Sequence, residues 1–265
     1  QPFEKFVAGD YDINPSIFNE LTPGNPSSSG NFDAKAGFEF PLIGQRWLLE
    51  GNYQRIQFPH NSYGGVAGCA IGTPGCSTVV GSDPSYQPGL CPSADPGCVT
   101  VVGYQNLLGF NGLSQGYAPG FTAHEDDFQG KFALKIADPR IYIGVGAYVK
   151  HFDYLAYPTL VGFGGGLEKL PDFDQPFSVF GDVWYYPSIS GNYNYPTSAF
   201  LGPLSGQQIK LSYSALLYHV GATIDLGKSP FFIQGGYAGQ KLTGKTNAPS
   251  DRTVSTPFVG LGAHF

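Results

Sequence analysis

Thr256-Pro257-Phe258-Val259-Gly260-Leu261-Gly262-Ala263-His264-Phe265, the last ten residues of the chain, change character at every second step. Val259, Leu261, Ala263 and Phe265 fall on one face at period two, and Gly260, Gly262 and His264 fall on the other, so the segment reads as a strand with one apolar side. Upstream segments repeat the pattern. Phe32, Ala34, Ala36, Phe38 and Phe40 alternate with Asp33, Lys35, Gly37 and Glu39; Ile141, Ile143, Val145, Ala147 and Val149 alternate with Tyr142, Gly144, Gly146, Tyr148 and Lys150. No segment reads as a helix that could cover so many apolar faces.

Composition points the same way. With Gly 38, Pro 22, Tyr 17 and Phe 21 among 265 residues, and only 13% of residues charged, the chain suits a sheet protein rich in turns. It has no apolar run of about 18 residues, which excludes a helical membrane span. A mean hydropathy of −0.10 is that of a soluble protein, but alternation hides apolar content from any average. The formal charge of −6 gives no footprint for nucleic acid, whose binders are basic. Opening on Gln1-Pro2-Phe3, without a basic n-region or apolar h-region, the chain has the expected look of one from which a signal peptide has been removed.

Hydrocarbon is then the remaining apolar solvent. About ten such strands closed on themselves form an all-β, antiparallel transmembrane β-barrel. Strands are expected at 6–13, 32–40, 46–58, 126–137, 140–152, 160–169, 177–186, 209–226, 231–242 and 256–265, in one domain over 1–265 with an insertion at 59–125. A phase slip at Leu216 and Leu217 predicts a bulge, or an extension above the membrane. Connections after the first, third, fifth, seventh and ninth strands read longer than the turns after the second, fourth and eighth, with that after the sixth intermediate, the parity of long extracellular loops and short periplasmic turns, which puts both termini in the periplasm. Phe40, Trp47, Phe177, Phe231 and Phe265 then fall at the periplasmic ends of the outward face, as an aromatic girdle. This pattern, finished by Phe265, resembles the bacterial outer-membrane β-barrel family, whose members commonly end on a Phe-terminated amphipathic strand. The resemblance implies a bacterial outer-membrane location with lipid as the surrounding partner. A soluble sandwich is the alternative, and it requires a second sheet to bury the outward aromatics.

The inward phase collects Lys35, Glu39, Glu50, Lys131, Lys135, Lys150, Asp182, His219 and Asp225, along with Asp10, Asp12, Asp33, Glu168 and Gln234. Mixed signs in a narrow lumen favour paired charges, because a desolvated unpaired charge is expensive. Such a barrel is a plugged anchor whose loops form the binding surface. A narrow porin-like channel for small solutes or ions is the second reading, and lumen width decides between them.

Within the insertion, Cys69-Ala-Ile-Gly-Thr-Pro-Gly-Cys76-Ser-Thr-Val-Val-Gly81 recurs as Cys91-Pro-Ser-Ala-Asp-Pro-Gly-Cys98-Val-Thr-Val-Val-Gly103. Four cysteines allow three pairings, and the repeat favours the local one, Cys69 with Cys76 and Cys91 with Cys98, as staples of an extracellular lobe. The spacing is too wide for a structural zinc site, so neither metal nor cofactor is expected. The Thr-Val-Val segments could pair with the edge of a protein partner. For catalysis, the strongest arrangement lies at the rim: the Asp138-Pro139 turn sets a register that puts Asp126 opposite His151 and Asp127 opposite Lys150, a geometry able to orient an imidazole as general base. Opposite charges across strands are also ordinary sheet stabilisation, and no G-x-S-x-G motif is present, so a rim hydrolase ranks third.

Overall fold

Alternation at period two becomes strand in every segment that shows it. A computed structural model describes residues 3–13, 15–18, 30–60, 63–66, 116–118, 121–152, 158–194, 207–227, 229–246 and 251–265. Its elements are β1 (Glu4–Asp12), β2 (Ser16–Phe18), β3 (Phe32–Leu42), β4 (Gln45–His60), β5 (Tyr63–Val66), β6 (Gly116–Ala118), β7 (Phe121–Ala137), β8 (Ile141–Phe152), β9 (Leu160–Lys169), β10 (Phe177–Asn194), β11 (Gln208–Asp225), β12 (Phe231–Gly244) and β13 (Arg252–His264). Of the eleven strands in the main sheet, ten pair antiparallel with their neighbours around a ring that closes where β1 meets β13, from Phe6 opposite His264 to Asp12 opposite Phe258. Lys5 and Phe265 complete the seam, each backbone N–H donating to the other's carbonyl at 3.0 and 2.8 Å. The eleventh, β2, resumes the line of β1 along β13, with Ser16 opposite Ser255.

One end of the barrel carries the tight turns. Ile43 and Gly44 both have positive φ (54° and 72°), the type I′ geometry whose twist matches its flanking strands. Asp138, Pro139 and Arg140 turn β7 into β8, and 226–230 turns β11 into β12. At the opposite end the sequence-based bounds need correction. Pairing of β4 with β7 continues to His60 opposite Phe121, so the insertion shrinks to 61–120, and β5 pairs with β6 within it. β10 runs on to Asn194, eight residues past the expected end at Tyr186, and β13 begins at Arg252, not Thr256. The bulge predicted at Leu216 and Leu217 lies instead on the facing strand, where pairing skips from Tyr186–Ala215 to Ile189–Tyr213, while β11 keeps an unbroken register with β12. Connections 153–159 and 170–176 are of equal length, so the long and short parity rests on the other loops. Cys69, Cys76, Cys91 and Cys98 lie outside the described residues.

Phase decides which way each side chain points. Val145 (64% exposed), Phe163 (74%) and Leu261 (64%) stand on the outside among many other apolar residues, with no second sheet over them among the described residues. The inward row of glycines on β8 and β9 exists because large rings need the space: a Cβ on Gly146 would stand 3.2 Å from the Trp184 indole and one on Gly166 2.6 Å from it. By contrast, Gly51 and Gly130 face outward, and a Cβ on either would have nothing within 4 Å. Gly166→Val is therefore expected to cost about 1–3 kcal/mol of unfolding free energy by overpacking, whereas Gly130→Ala is expected to stay within about 0.5 kcal/mol. Urea-unfolding midpoints in detergent measure both, and equal effects would contradict the assignment of the two faces.

The charged lumen as candidate functional site

Strand register stacks the inward side chains into levels, and each level has its own chemistry. At the turn end, β3 and β4 bring Glu39 and Arg46 inward beside Arg140 of the β7–β8 turn and Tyr142 of β8. The Glu39 carboxylate accepts from Arg140 and from the Tyr142 hydroxyl, and Arg46 reaches Glu4 at 3.1 Å and Glu39 at 3.5 Å. The 170–176 connection folds inward below them. Arg140 donates to the Pro171 carbonyl at 2.5 Å and lies 4.8 Å over the Phe173 ring, and Phe173 stacks on His264 at 4.6 Å. Phe6, Leu48, Ala133, Leu170 and Phe232 pack around it as an apolar floor.

Above the floor sits an ion net with two lysines at its centre. Lys131 Nζ lies 2.9 Å from Glu50, 3.1 Å from Glu168 and 3.7 Å from Asp182. Lys35 Nζ reaches the same three carboxylates at 3.6, 3.3 and 3.5 Å, and His219 Nδ1 lies 3.0 Å from Asp182 Oδ1. Several kcal/mol of desolvation per ion are offset here only because each ammonium meets more than one carboxylate. Nearer the loop end, Lys150 meets Glu125 at 2.8 Å and Asp127 at 2.9 Å, Arg252 meets Glu125, and Gln240 donates to Asp127 at 2.6 Å and to the Tyr148 hydroxyl at 2.5 Å. Gln129 donates to the Tyr186 hydroxyl at 2.6 Å.

Most residues expected in the lumen are brought together, with two corrections. Lys135 is at the lip, where its ammonium meets the exposed turn residue Asp138 and not the net, since the register slips between Lys135 and Ala137. Asp225 is level with the floor, opposite Phe232, and its Oδ1 is buried without a partner among the described residues. Sequence reasoning missed Phe173, which belongs to a connection and carries no period, and also Arg140 and Arg252, which period two does mark once the alternation of β8 and of β13 is followed back to them. The expected girdle residues share one end: Phe177, Phe231 and Phe265 are exposed there, and Trp47 stacks on Phe132 with centroids 4.8 Å apart beside Phe40.

The rim pair has the expected register, Asp126 opposite His151 and Asp127 opposite Lys150. Its hydrogen bonds go elsewhere: Asp126 takes a two-pronged contact from Arg55 at 2.8 and 2.9 Å and the Tyr53 hydroxyl at 2.6 Å, and His151 Nδ1 lies 3.0 Å from Thr159 Oγ1.

Among the described residues the lumen is filled at two levels, by the apolar floor and by the ion net. Between the ion net and the β1–β3 wall lies a cavity of about 50 Å³, lined by Lys35 and His219, by Asp10 and Asp33, and by rings that include Phe173 and Phe180. Similar solved structures are bacterial outer-membrane proteins. Neisserial surface protein A is 10% identical over 99% of this chain and 97% of its own, with a TM-score of 0.29. Ail, the attachment invasion locus protein of Yersinia pestis, solved with the heparin analogue sucrose octasulfate, is 12% identical over 99% and 98%, with a TM-score of 0.27. OprB of Pseudomonas putida is 9% identical over 89% and 48%, with a TM-score of 0.25. No protein-family model and no curated protein matches the chain.

Removing one cation from the net leaves carboxylates buried without compensation. Lys131→Met is expected to lower the unfolding free energy by about 3–5 kcal/mol, and Lys135→Met, at the exposed lip, by less than about 0.5 kcal/mol. Chemical denaturation of the two variants compares them directly, and a mild Lys131 variant would mean that the net contributes little.

Proposed function

We propose that this barrel resides in the bacterial outer membrane as a closed anchor, with its long-loop end as the extracellular surface that meets a partner. The observation that carries the reading is the filled lumen: among the described residues a floor of rings and then a layer of buried ion pairs lie across the path a pore would need. Membrane residence is supported by the apolar outward belt, which no other described element covers, and by closure of the ring, which leaves no free edge along its wall.

Surface presentation is supported by strand lengths. β4, β7, β10 and β11 run 16 to 18 residues, against 10 for β9 and 12 for β8, so the β4–β7 and β10–β11 pairs rise past β8 and β9 at the long-loop end. In this reading the Asp126–His151 pair belongs to the wall, and hydrolysis is not the role.

Conductance in a planar bilayer tests the anchor. Silence is the expected result for the purified barrel, and steady open channels would favour the porin-like alternative. Lipid contact is tested separately with Val145→Arg: equilibrium unfolding from vesicles is expected to show a loss of about 2–4 kcal/mol, the magnitude for Arg near the bilayer midplane. No loss at that position would sink the membrane assignment.

A further inference from the structure

Among the described residues four connections close the turn end of the barrel, and one of them is built differently. The β3–β4, β7–β8 and β11–β12 connections are tight turns, whereas 170–176, between β9 and β10, folds under the lumen. Leu170, Pro171 and Phe173 are buried while Asp174, Gln175 and Pro176 are exposed, so this strap has an inner and an outer face. Pro171 and Phe173 line the lumen cavity on its turn side together with Phe6 and Phe232, and every other described lining residue sits on a barrel strand. The strap is the one part of that lining that no strand ladder holds.

Its attachment differs between the ends and the middle. At the ends, the Leu170 N–H donates to the Arg140 carbonyl and the Asp225 N–H to the Pro176 carbonyl, each at 3.0 Å, which fixes two hinge points. In the middle the bonds run through side chains: the Asp172 N–H donates to Ser178 Oγ at 2.8 Å, and the Arg140 guanidinium donates to the Pro171 carbonyl at 2.5 Å and lies over Phe173. The Phe173 ring stands 4.6 Å from His264, 5.0 Å from Phe232 and 6.1 Å from Phe6. Closure also has an opposing term. His264 Nε2, on the ring that Phe173 covers, and Asp225 Oδ1, on the residue bonded to Pro176, are both buried with no hydrogen-bond partner among the described residues. The penalty for two such orphaned atoms is of the same order as the gain from burying one phenyl ring, so a small difference holds the strap shut. A small gap between two arrangements is what a movable element requires.

We propose that 170–176 is a hinged strap that opens and closes the lumen cavity toward the turn end, with Phe173 as its bolt and Arg140 as the latch that holds it. Opening swings Phe173 out from between Phe6 and Phe232 and returns His264 Nε2 and Asp225 Oδ1 to water. The ion group of Lys150, Arg252, Glu125 and Asp127 stays in place toward the loop end, so the motion gives the cavity a mouth on one side only. With the loop end extracellular, as proposed above, that mouth faces the periplasm; the motion itself does not depend on that orientation.

Thiol labelling of the full-length barrel in detergent tests this. Ala8→Cys places a thiol in the cavity wall, and its modification is followed peptide by peptide with mass spectrometry. The reagent is a biotin maleimide, too bulky for a closed cavity of about 50 Å³, so it reaches that thiol only while the strap is away. Slow modification is expected, and adding Phe173→Ala, which shifts the strap toward its open arrangement, is expected to speed it at least about tenfold. Asp174→Cys, on the exposed face of the strap, gives the unhindered rate. A position-8 thiol that stays unreacted when the position-174 thiol is fully modified would overturn the proposal, as would equal rates with and without the Phe173 ring. Should a substitution prevent folding, carbethoxylation of the unsubstituted chain by diethyl pyrocarbonate decides: modification of His264 in the folded barrel supports a strap that uncovers the imidazole, and a His264 that stays unmodified while the exposed His151 reacts removes it.

Discussion

Closure of β1 on β13 is the constraint from which the rest of the structure follows. An open sheet of this size would expose a row of backbone donors and acceptors along each edge, and pairing Phe6 through Asp12 with His264 through Phe258 removes both edges at once. Closure also fixes the circumference. A ring of ten strands encloses a narrow space that side chains can largely fill, so every inward residue must find its partners across that space and not in bulk water. The ion net is the consequence, not an added feature: Lys35 on β3 meets Glu168 and Asp182, 133 and 147 residues away, because the ring brings opposite walls within reach of a lysine.

Filling is uneven, and the unevenness places the cavity. On the side of β8, β9 and β10 the lumen is packed by Trp184, Tyr148 and Tyr186, with the two tyrosine rings 5.2 Å apart and glycines opposite to admit them. On the side of β1 and β3 the inward residues include Ala8, Asp10 and Asp33, too short to cross the lumen, and only Lys35 among them reaches the far carboxylates. Large residues against glycine on one wall and short ones on the other leave the void beside β1 and β3, where Asp10 and Asp33 share its lining with Lys35 and His219. Ring packing on one side thus decides where the remaining space lies.

Period two made the fold legible, because a strand's face is a property of each residue and its neighbour alone. It also carried the register of β7 against β8, since a turn as short as Asp138-Pro139-Arg140 leaves little freedom, and Asp126 does stand opposite His151. Height along the barrel axis is not encoded that way. Lys135 has the inward phase of Lys131, yet four residues carry it to the lip and to a different partner, Asp138. The floor was invisible for a related reason: Phe173 and Pro171 lie in a connection with no period, and only the position of Arg140 draws them inward. The slip read at Leu216 and Leu217 was a real irregularity assigned to the wrong partner. Its extra residue belongs to β10, where Pro187 falls within the skipped pairing and cannot donate a ladder hydrogen bond.

Why the lumen is held by ion pairs and not by aliphatic packing is a question of register. Apolar residues of similar volume would fill the space with no desolvation penalty, and buried ion pairs are weak contributors to stability by that measure. A strand apolar on both faces, however, would have nothing to distinguish one register from the next. With Glu50, Lys131, Glu168 and Asp182 on the inner face, a slip of one residue moves every one of them to the outer face and separates it from its partners. Where that outer face meets hydrocarbon, each misplaced lysine costs about 2–4 kcal/mol near the midplane. The net therefore acts on alternatives to the fold more than on the fold itself, and it does so most strongly at Lys131, which touches carboxylates from β4, β9 and β10 and so ties three registers to one ammonium.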